Sequence, residues 1–363
     1  MERTLLLIGT RKGLFSAWSE DGRATWRVGP MRCRMSAIYA LAIDLRCGPR
    51  LYATGDNAHW GPTYLFSDDL GETWTEPDVA PVRFPELAGT ALKRIWQLEP
   101  GPRTEPHVLY AGTEPAALFR SEDGGASFDL VRGLWDHPHR PRWEPVNAGL
   151  FLHTIVSDGA DPRRLLVAMS SGGVYRSVDG GESWAPCNRG LQLDGVPPER
   201  RYPEFGQCVH KVASAPGGRL YAQGHPGVYL SDDGGDSWLS IGEGLPSDFG
   251  FPLVVHPARR DTAYVFPLAA DVEDRMPPGG RFQVYRTDDA GWTWHGLGCG
   301  LPDGGHYAAV LREAMCGDGA DPLGLYVGSR DGEVYASRDE GESWTLVATH
   351  LPDVLCLRAA VLG

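Results

Sequence analysis

The sequence predicts an all-β fold, a seven-bladed β-propeller of four-stranded antiparallel blades. Three observations predict it. One eight-residue turn motif recurs seven times, the same order of β-type runs flanks each copy, and the first and last runs of the chain complete one another as parts of a single blade.

The motif reads S-x-D-x-G-x-S/T-W. It stands whole at Ser67–Trp74, Ser177–Trp184, Ser231–Trp238 and Ser337–Trp344. Ser121–Phe128 ends in Phe, Thr287–Trp294 begins with Thr, and Ser19–Trp26 carries Arg23 where Gly is expected. The starts lie 48, 54, 56, 54, 56 and 50 residues apart, a period that marks propeller blades. Each part has a mechanical reason. The Asp carboxylate accepts hydrogen bonds from its own tight turn. The Gly permits φ > 0, and the Trp is a plate that packs between neighbouring sheets.

Two runs precede each turn, for example Leu220–Gln223 then Val228–Ser231, and Leu325–Gly328 then Glu333–Ser337. Their alternation and β-branched or aromatic content read as strands. After the turn come a short strand, a loop and an apolar run such as Phe151–Val156 or Val209–Ala213. Each blade is thus an inner strand A, strands B and C, the turn, and an outer strand D. The chain opens on a B strand, Thr4–Thr10, and closes on an A-like run, Val354–Val361. Pairing these two closes the ring and removes free sheet edges. The expectation is one domain over residues 1–363.

Composition narrows the function. Forty-seven Gly and 29 Pro suit many turns. A net charge of −13 argues against nucleic acid and anionic membranes as partners. Seven scattered Cys without a C-x-x-C read as reduced thiols and a cytoplasmic location. The apolar run Leu5–Ile8 is too short for a signal peptide and reads as strand.

On these turns the chain resembles the sialidase-type BNR/Asp-box superfamily, and is similar in particular to bacterial stand-alone BNR-repeat propellers described as sialidase-like or glycosyl-hydrolase-like. The resemblance covers nearly the whole chain and implies the fold; sites are grafted onto folds, so it leaves the chemistry open. Sialidases hold the substrate carboxylate with three Arg, use a Tyr nucleophile with a Glu, and carry an F/Y-R-I-P segment. Here Lys93-Arg94-Ile95-Trp96 shares only Arg-Ile. Tyr202 or Tyr307 as nucleophile, with Arg94, Arg201 and Arg312, makes a forced fit, and sialidase activity is not expected.

The resemblance places the turns on one face. The long segments Glu76–Leu92, Gly133–Ala148, Ala185–Phe205 and Leu268–Arg281 fall on the other, where loops on a rigid scaffold carry function. Aligned inner strands put His153 and His210 at the same position of blades four and five, with Arg94 comparable on blade three. His306 and Tyr307 open blade seven. The B–C connections add His225, His59, Trp60 and Glu114, and Lys211 follows His210 on the opposite strand face. The expected catalytic set is His153, His210, Arg94 and Glu114, with His306, Tyr307, His59, Trp60 and Lys211 binding substrate. His153, His210 and His225 can supply three imidazoles to a divalent metal such as Zn, Fe, Cu or Ni; equally, they can satisfy backbone groups without a metal. Arg94 either clamps an anionic substrate group or pairs with Glu114. His107, His137, His139, His295 and His350 read as solvent-exposed. Trp135, Trp143, Phe249 and Phe251 either pack the long loops down or line a pocket or partner surface.

Three functions stay open. The leading one is a cytoplasmic hydrolase or lyase, with or without a metal, acting on a small polar substrate. The second is a non-catalytic propeller that binds a protein or assists assembly, as a photosystem assembly factor of the superfamily does. The third is a metal-dependent oxygenase.

Overall fold

Alternating apolar side chains need a sheet to bury them, and seven such sets build seven sheets. In the computed structural model the chain is a seven-bladed β-propeller, nearly all β. Residues 2–145, 149–193, 195–270 and 275–363 are described. Parts of three predicted long segments, at 146–148, 194 and 271–274, lie outside them.

Blade one pairs Val354–Leu362, Arg3–Thr10, Gly13–Ser19 and Arg27–Val28 in that order. Blade two has Ala37–Asp44, Arg50–Asn57 and Gly61–Ser67, with a single bridge from Phe66 to Thr75 in place of strand D. Blade three runs Arg94–Pro100, Leu109–Glu114, Leu118–Ser121 and Asp129–Leu130. Blade four runs Leu152–Ser157, Leu165–Met169, Gly173–Ser177 and Ala185–Pro186. Blade five has Val209–Ser214, Leu220–Gly224, Gly227–Ser231 and Leu239–Ser240. Blade six has Gly250–Val255, Ala263–Pro267, Val284–Thr287 and His295–Leu297. Blade seven has Met315–Gly317, Leu325–Gly328, Val334–Ser337 and Thr345–Ala348. The chain falls into two compact units. One comprises Met1–Ile38, Ala213–Gly234 and Leu239–Gly363; the other comprises Tyr39–Val212 and Gly235–Trp238.

The recurring turn is a hydrogen-bonded knot. At Asp69, Oδ1 accepts from the Thr73 amide at 2.9 Å, Oδ2 accepts from the Thr73 hydroxyl, and the Gly71 amide donates to Ser67 Oγ at 2.9 Å. Donors aimed at a carboxylate favour its charged form. The Thr25, Thr73 and Ser183 hydroxyls, then their amides, hold Asp21, Asp69 and Asp179 at about 2, below the ordinary 3.8.

Neighbouring blades are stitched by two further devices. In the second unit, Tyr52 Oη of blade two donates to Gly124 O of the blade-three turn at 2.9 Å, and Trp238 Nε1 donates to Cys187 O of the preceding blade at 2.8 Å. In the first, Trp294 Nε1 does the same to Ile241 O at 2.8 Å. These bonds satisfy polar tips of large side chains whose bodies are core.

Blade one closes within the first unit. Arg3–Thr10 pairs antiparallel with Val354–Leu362, Thr4 opposite Val361 and Ile8 opposite Leu357. Arg23, the residue in place of Gly, keeps the left-handed backbone at φ 68°, which a side chain adopts at a cost. Its guanidinium reaches blade seven, donating to Asp318 Oδ2 and Pro322 O at 3.0 Å each. Asp318 is fully buried and also accepts from Tyr326 Oη and from the Ala320 and Gly324 amides. A Gly would relieve the strain and lose the clasp.

This stitching leads to two expected outcomes. Arg23→Ala leaves a buried carboxylate without its cation, which costs about 3 kcal/mol, read as a lower midpoint in urea unfolding. The turn carboxylates have folded values below their unfolded ones, so their stabilisation is complete above the unfolded value and is lost as pH falls through the folded value. Stability measured by denaturant unfolding should therefore fall between pH 3.8 and about 2; a flat profile across that window contradicts the assignment.

Candidate functional site

Antiparallel register decides where a polar residue emerges. In blade three Arg94 opens strand A and lies opposite Glu114, the last residue of strand B, while Leu109 at the start of B lies opposite Ser121 of the turn. Arg94 and Glu114 thus occupy the blade end remote from its turn. In blade two Leu51 lies opposite Ser67, so Asp56 holds the position that Glu114 holds in blade three.

These residues meet in the second unit. Arg94 donates to Asp56 Oδ2 from Nε at 3.1 Å and from Nη2 at 2.6 Å, and its Nη1 lies 3.9 Å from Glu114 Oε2. The guanidinium sits over the Tyr39 ring at 4.1 Å and the Trp96 ring at 5.0 Å, an attraction that a desolvated face strengthens. Trp96 Nε1 donates to Glu114 Oε2 at 3.2 Å, and the indole stacks on Phe151 at 4.2 Å. Asp56, Arg94 and Glu114 all remain partly exposed. Two carboxylates around one guanidinium leave a formal net charge of −1, on a cation held by partners on three sides.

The sequence offered Arg94 either a substrate anion or Glu114. The structure gives its short bonds to Asp56, with Glu114 farther away. Asp56, Tyr39, Trp96 and Phe151 were missed. The signal was present: Leu51-Tyr-Ala-Thr-Gly-Asp56 and Leu109-Tyr-Ala-Gly-Thr-Glu114 share their first three residues, and both end in an acid.

The inner-strand alignment needs correction. Strand A of blade four carries a bulge between Leu152 and Thr154, and that of blade three one between Ile95 and Gln97. A bulge inserts an unpaired residue and bends the strand, re-aiming the side chains beyond it. His153 is the bulge residue of blade four, so its counterpart in blade three is Trp96 rather than Arg94. The bulge turns His153 inward. It is fully buried, with Nε2 2.8 Å from Val209 O and Nδ1 3.0 Å from Thr154 Oγ1. A carbonyl only accepts, so Nε2 carries the proton and Nδ1 accepts from the Thr hydroxyl. Both nitrogens are committed, which does not fit a metal ligand. His210 is also buried, while Lys211 is half-exposed. His225, in the first unit, packs edge-on to Phe249 at 5.0 Å. Among the described residues no group of three or more His, Cys, Asp or Glu is placed to hold a metal ion.

The other predicted residues fall in both units. His59 and Trp60 form the tip of the hairpin that continues from Asp56; their rings are 5.7 Å apart, and Trp60 is 72% exposed. In the first unit His306 Nε2 lies 2.7 Å from Glu333 Oε2, which also accepts from Tyr335 Oη at 3.1 Å. Tyr307 is exposed. His137 and His139, read as exposed, are packed instead. His137 Nε2 reaches Trp184 O at 3.2 Å, its Nδ1 accepts from the His139 amide at 3.1 Å, and His139 stacks on Phe205. Burial, then the neighbouring His139, pushes the His137 imidazole below its ordinary value. Trp135, Trp143 and Phe249 are buried, packing the segments down.

No family model matches the chain, and no curated protein matches it. Solved structures do. The GH74 enzyme of Niastella koreensis superposes with a TM-score of 0.56 at 16% identity, covering 96% of this chain and 65% of that one. YCF48 from Cyanidioschyzon merolae gives 0.58 at 14%, covering 89% and 88%. A putative 6-phosphogluconolactonase from Bacteroides fragilis gives 0.56 at 11%, covering 99% and 98%. The likeness is one of fold. The chain spans 65% and 38% of the two GH74 structures it matches at 0.56, and these identities carry no activity across.

His153→Ala should remove about 2 to 4 kcal/mol of stability by opening a cavity and stranding Val209 O, measured by urea unfolding. Elemental analysis of the same preparation should find its metal content equal to that of the unsubstituted protein.

Proposed function

We propose that the chain is a hydrolase acting on a small, neutral, polar molecule at the Asp56–Arg94–Glu114 cluster. The observation that carries this reading is the engagement of Arg94 by Asp56. A guanidinium already bonded to one carboxylate and close to a second does not recruit a third anion, whereas its remaining N–H groups can polarise a carbonyl or a leaving oxygen. Glu114 is the acid/base group. It is partly exposed, oriented by Trp96 Nε1, and next to the cation that would stabilise developing negative charge. Asp56 acts by positioning Arg94. Tyr39 and Trp96 supply apolar faces beside the charged groups, as polar-substrate sites do, and exposed Trp60 extends that surface along the same hairpin. His153 and His210, buried in their strands, serve as scaffold in this reading.

The fold neighbours include enzymes and YCF48, and a binding-only propeller remains the second reading. The seven turns support a place among the sialidase-type repeat proteins. Seven scattered cysteines without a C-x-x-C support a reducing, cytoplasmic compartment.

The test is turnover on a panel of chromogenic esters, lactones and aryl glycosides. The intact chain should hydrolyse at least one class. Glu114→Gln should lower kcat about a hundredfold or more with the fold intact by circular dichroism. Equal turnover by Glu114→Gln, or none by the intact chain on any class, would contradict the hydrolase and leave the binding reading.

A further inference from the structure

A second cluster of opposite charge lies in the first unit. Arg330 follows strand B of blade seven. Leu325 lies opposite Ser337 of the turn, so Arg330 holds the repeat position of Asp56 and Glu114. Arg11 sits in the hairpin between Arg3–Thr10 and Gly13–Ser19 of blade one. The two guanidiniums meet on one oxygen: Arg11 Nε is 3.2 Å and Arg330 Nη2 3.3 Å from Asp353 Oδ2. Backbone bonds fix the three segments, with the Arg11 amide donating to Asp353 O at 3.0 Å and the Val354 amide to Ser329 O at 3.2 Å.

The charge there runs against the rest of the chain. One carboxylate shared by two guanidiniums leaves a net positive charge. Both arginines stay half exposed, 50% and 49%. Exposed Lys12 adjoins Arg11, and the Met35 amide donates to Lys12 O at 3.1 Å, which brings the loop carrying exposed Arg34 alongside. Two acids follow Arg330 in sequence. Asp331 is one. The other, Glu333, is engaged by His306 Nε2 and Tyr335 Oη. On a chain of net charge −13, two guanidiniums held side by side, with a lysine and a third arginine at hand, form a preorganised anion clamp.

We propose that Arg11 and Arg330, held together by Asp353, bind a small anion through a carboxylate or phosphate group. Each guanidinium uses one N–H on Asp353 and keeps others for the ligand. The planar fork of arginine matches either anion by paired N–H···O bonds. Asp353 is the positioning residue, offsetting the repulsion of the pair. The proposal uses none of the residues of the Asp56–Arg94–Glu114 cluster, and the neutral-substrate reading of that cluster can fail without affecting it.

The test is isothermal titration calorimetry of the intact chain with inorganic phosphate and, separately, with malonate. At least one should bind saturably, and the arm that binds identifies the anion class. Arg11→Gln and Arg330→Gln should each weaken that binding about tenfold or more, while Lys93→Gln, a cation elsewhere, should not change it. Phenylglyoxal labelling of the unsubstituted protein, read by peptide mapping, should show Arg11 and Arg330 protected by the bound anion, so the result does not depend on folded variants. Absence of saturable binding with both anions, binding unaltered in the two variants, or labelling of both arginines undiminished by the anion would overturn the proposal.

Discussion

The register between the start of strand B and the first residue of its turn is the constraint on which the Asp56–Arg94–Glu114 cluster depends. Leu51 lies opposite Ser67, Leu109 opposite Ser121, Leu220 opposite Ser231 and Leu325 opposite Ser337. With that pairing fixed, the residue five positions on emerges at the end of the sheet remote from the turn. In these four blades it is Asp56, Glu114, His225 and Arg330. A slip by one residue would turn every apolar side chain of the strand outward, so the apolar pattern that buries the blade also determines which polar residue is delivered to the far end.

The acids divide their labour accordingly. Turn carboxylates such as Asp69 accept several short bonds from their own chain and are committed to local structure. Carboxylates at the far ends of strands B meet a side chain of a strand A: Asp56 and Glu114 meet Arg94, while in blade seven Glu333, just before strand C, meets His306. The repeat thus supplies one set of acids that holds the blade and another whose neighbours vary from blade to blade. That variation places one guanidinium among two carboxylates in one unit and one carboxylate between two guanidiniums in the other.

Much of the fold was legible because its signals are local. The turn motif marks the C–D connection of every blade, alternation marks strands B and C, and the run Val354–Val361 foretold the pairing that closes blade one. Arg23 looked like a lapse in the motif. Its role depends on Asp318, some three hundred residues away, which no local pattern reveals. The candidate cluster was legible in part. Arg94 and Glu114 stood out as polar residues at strand ends, and the structure brings them within 3.9 Å of one another. The alignment of His153 with Arg94 failed because a bulge at His153 breaks the period-two rule, and nothing in Leu152-His153-Thr154 announces a bulge. Asp56 was overlooked because the B–C connection of blade two was read at His59 and Trp60, beyond the strand-B end that Asp56 shares with Glu114.

The central claim is that acids at the turns hold the fold while acids at the opposite strand ends serve a site. Thermal unfolding of Asp69→Asn beside Glu114→Gln tests it most directly. The account predicts a clearly lowered midpoint for Asp69→Asn and, for Glu114→Gln, a midpoint within about 2 °C of the unsubstituted chain. A loss of stability in Glu114→Gln equal to that in Asp69→Asn would contradict it, and would make the strand-end cluster another part of the scaffold.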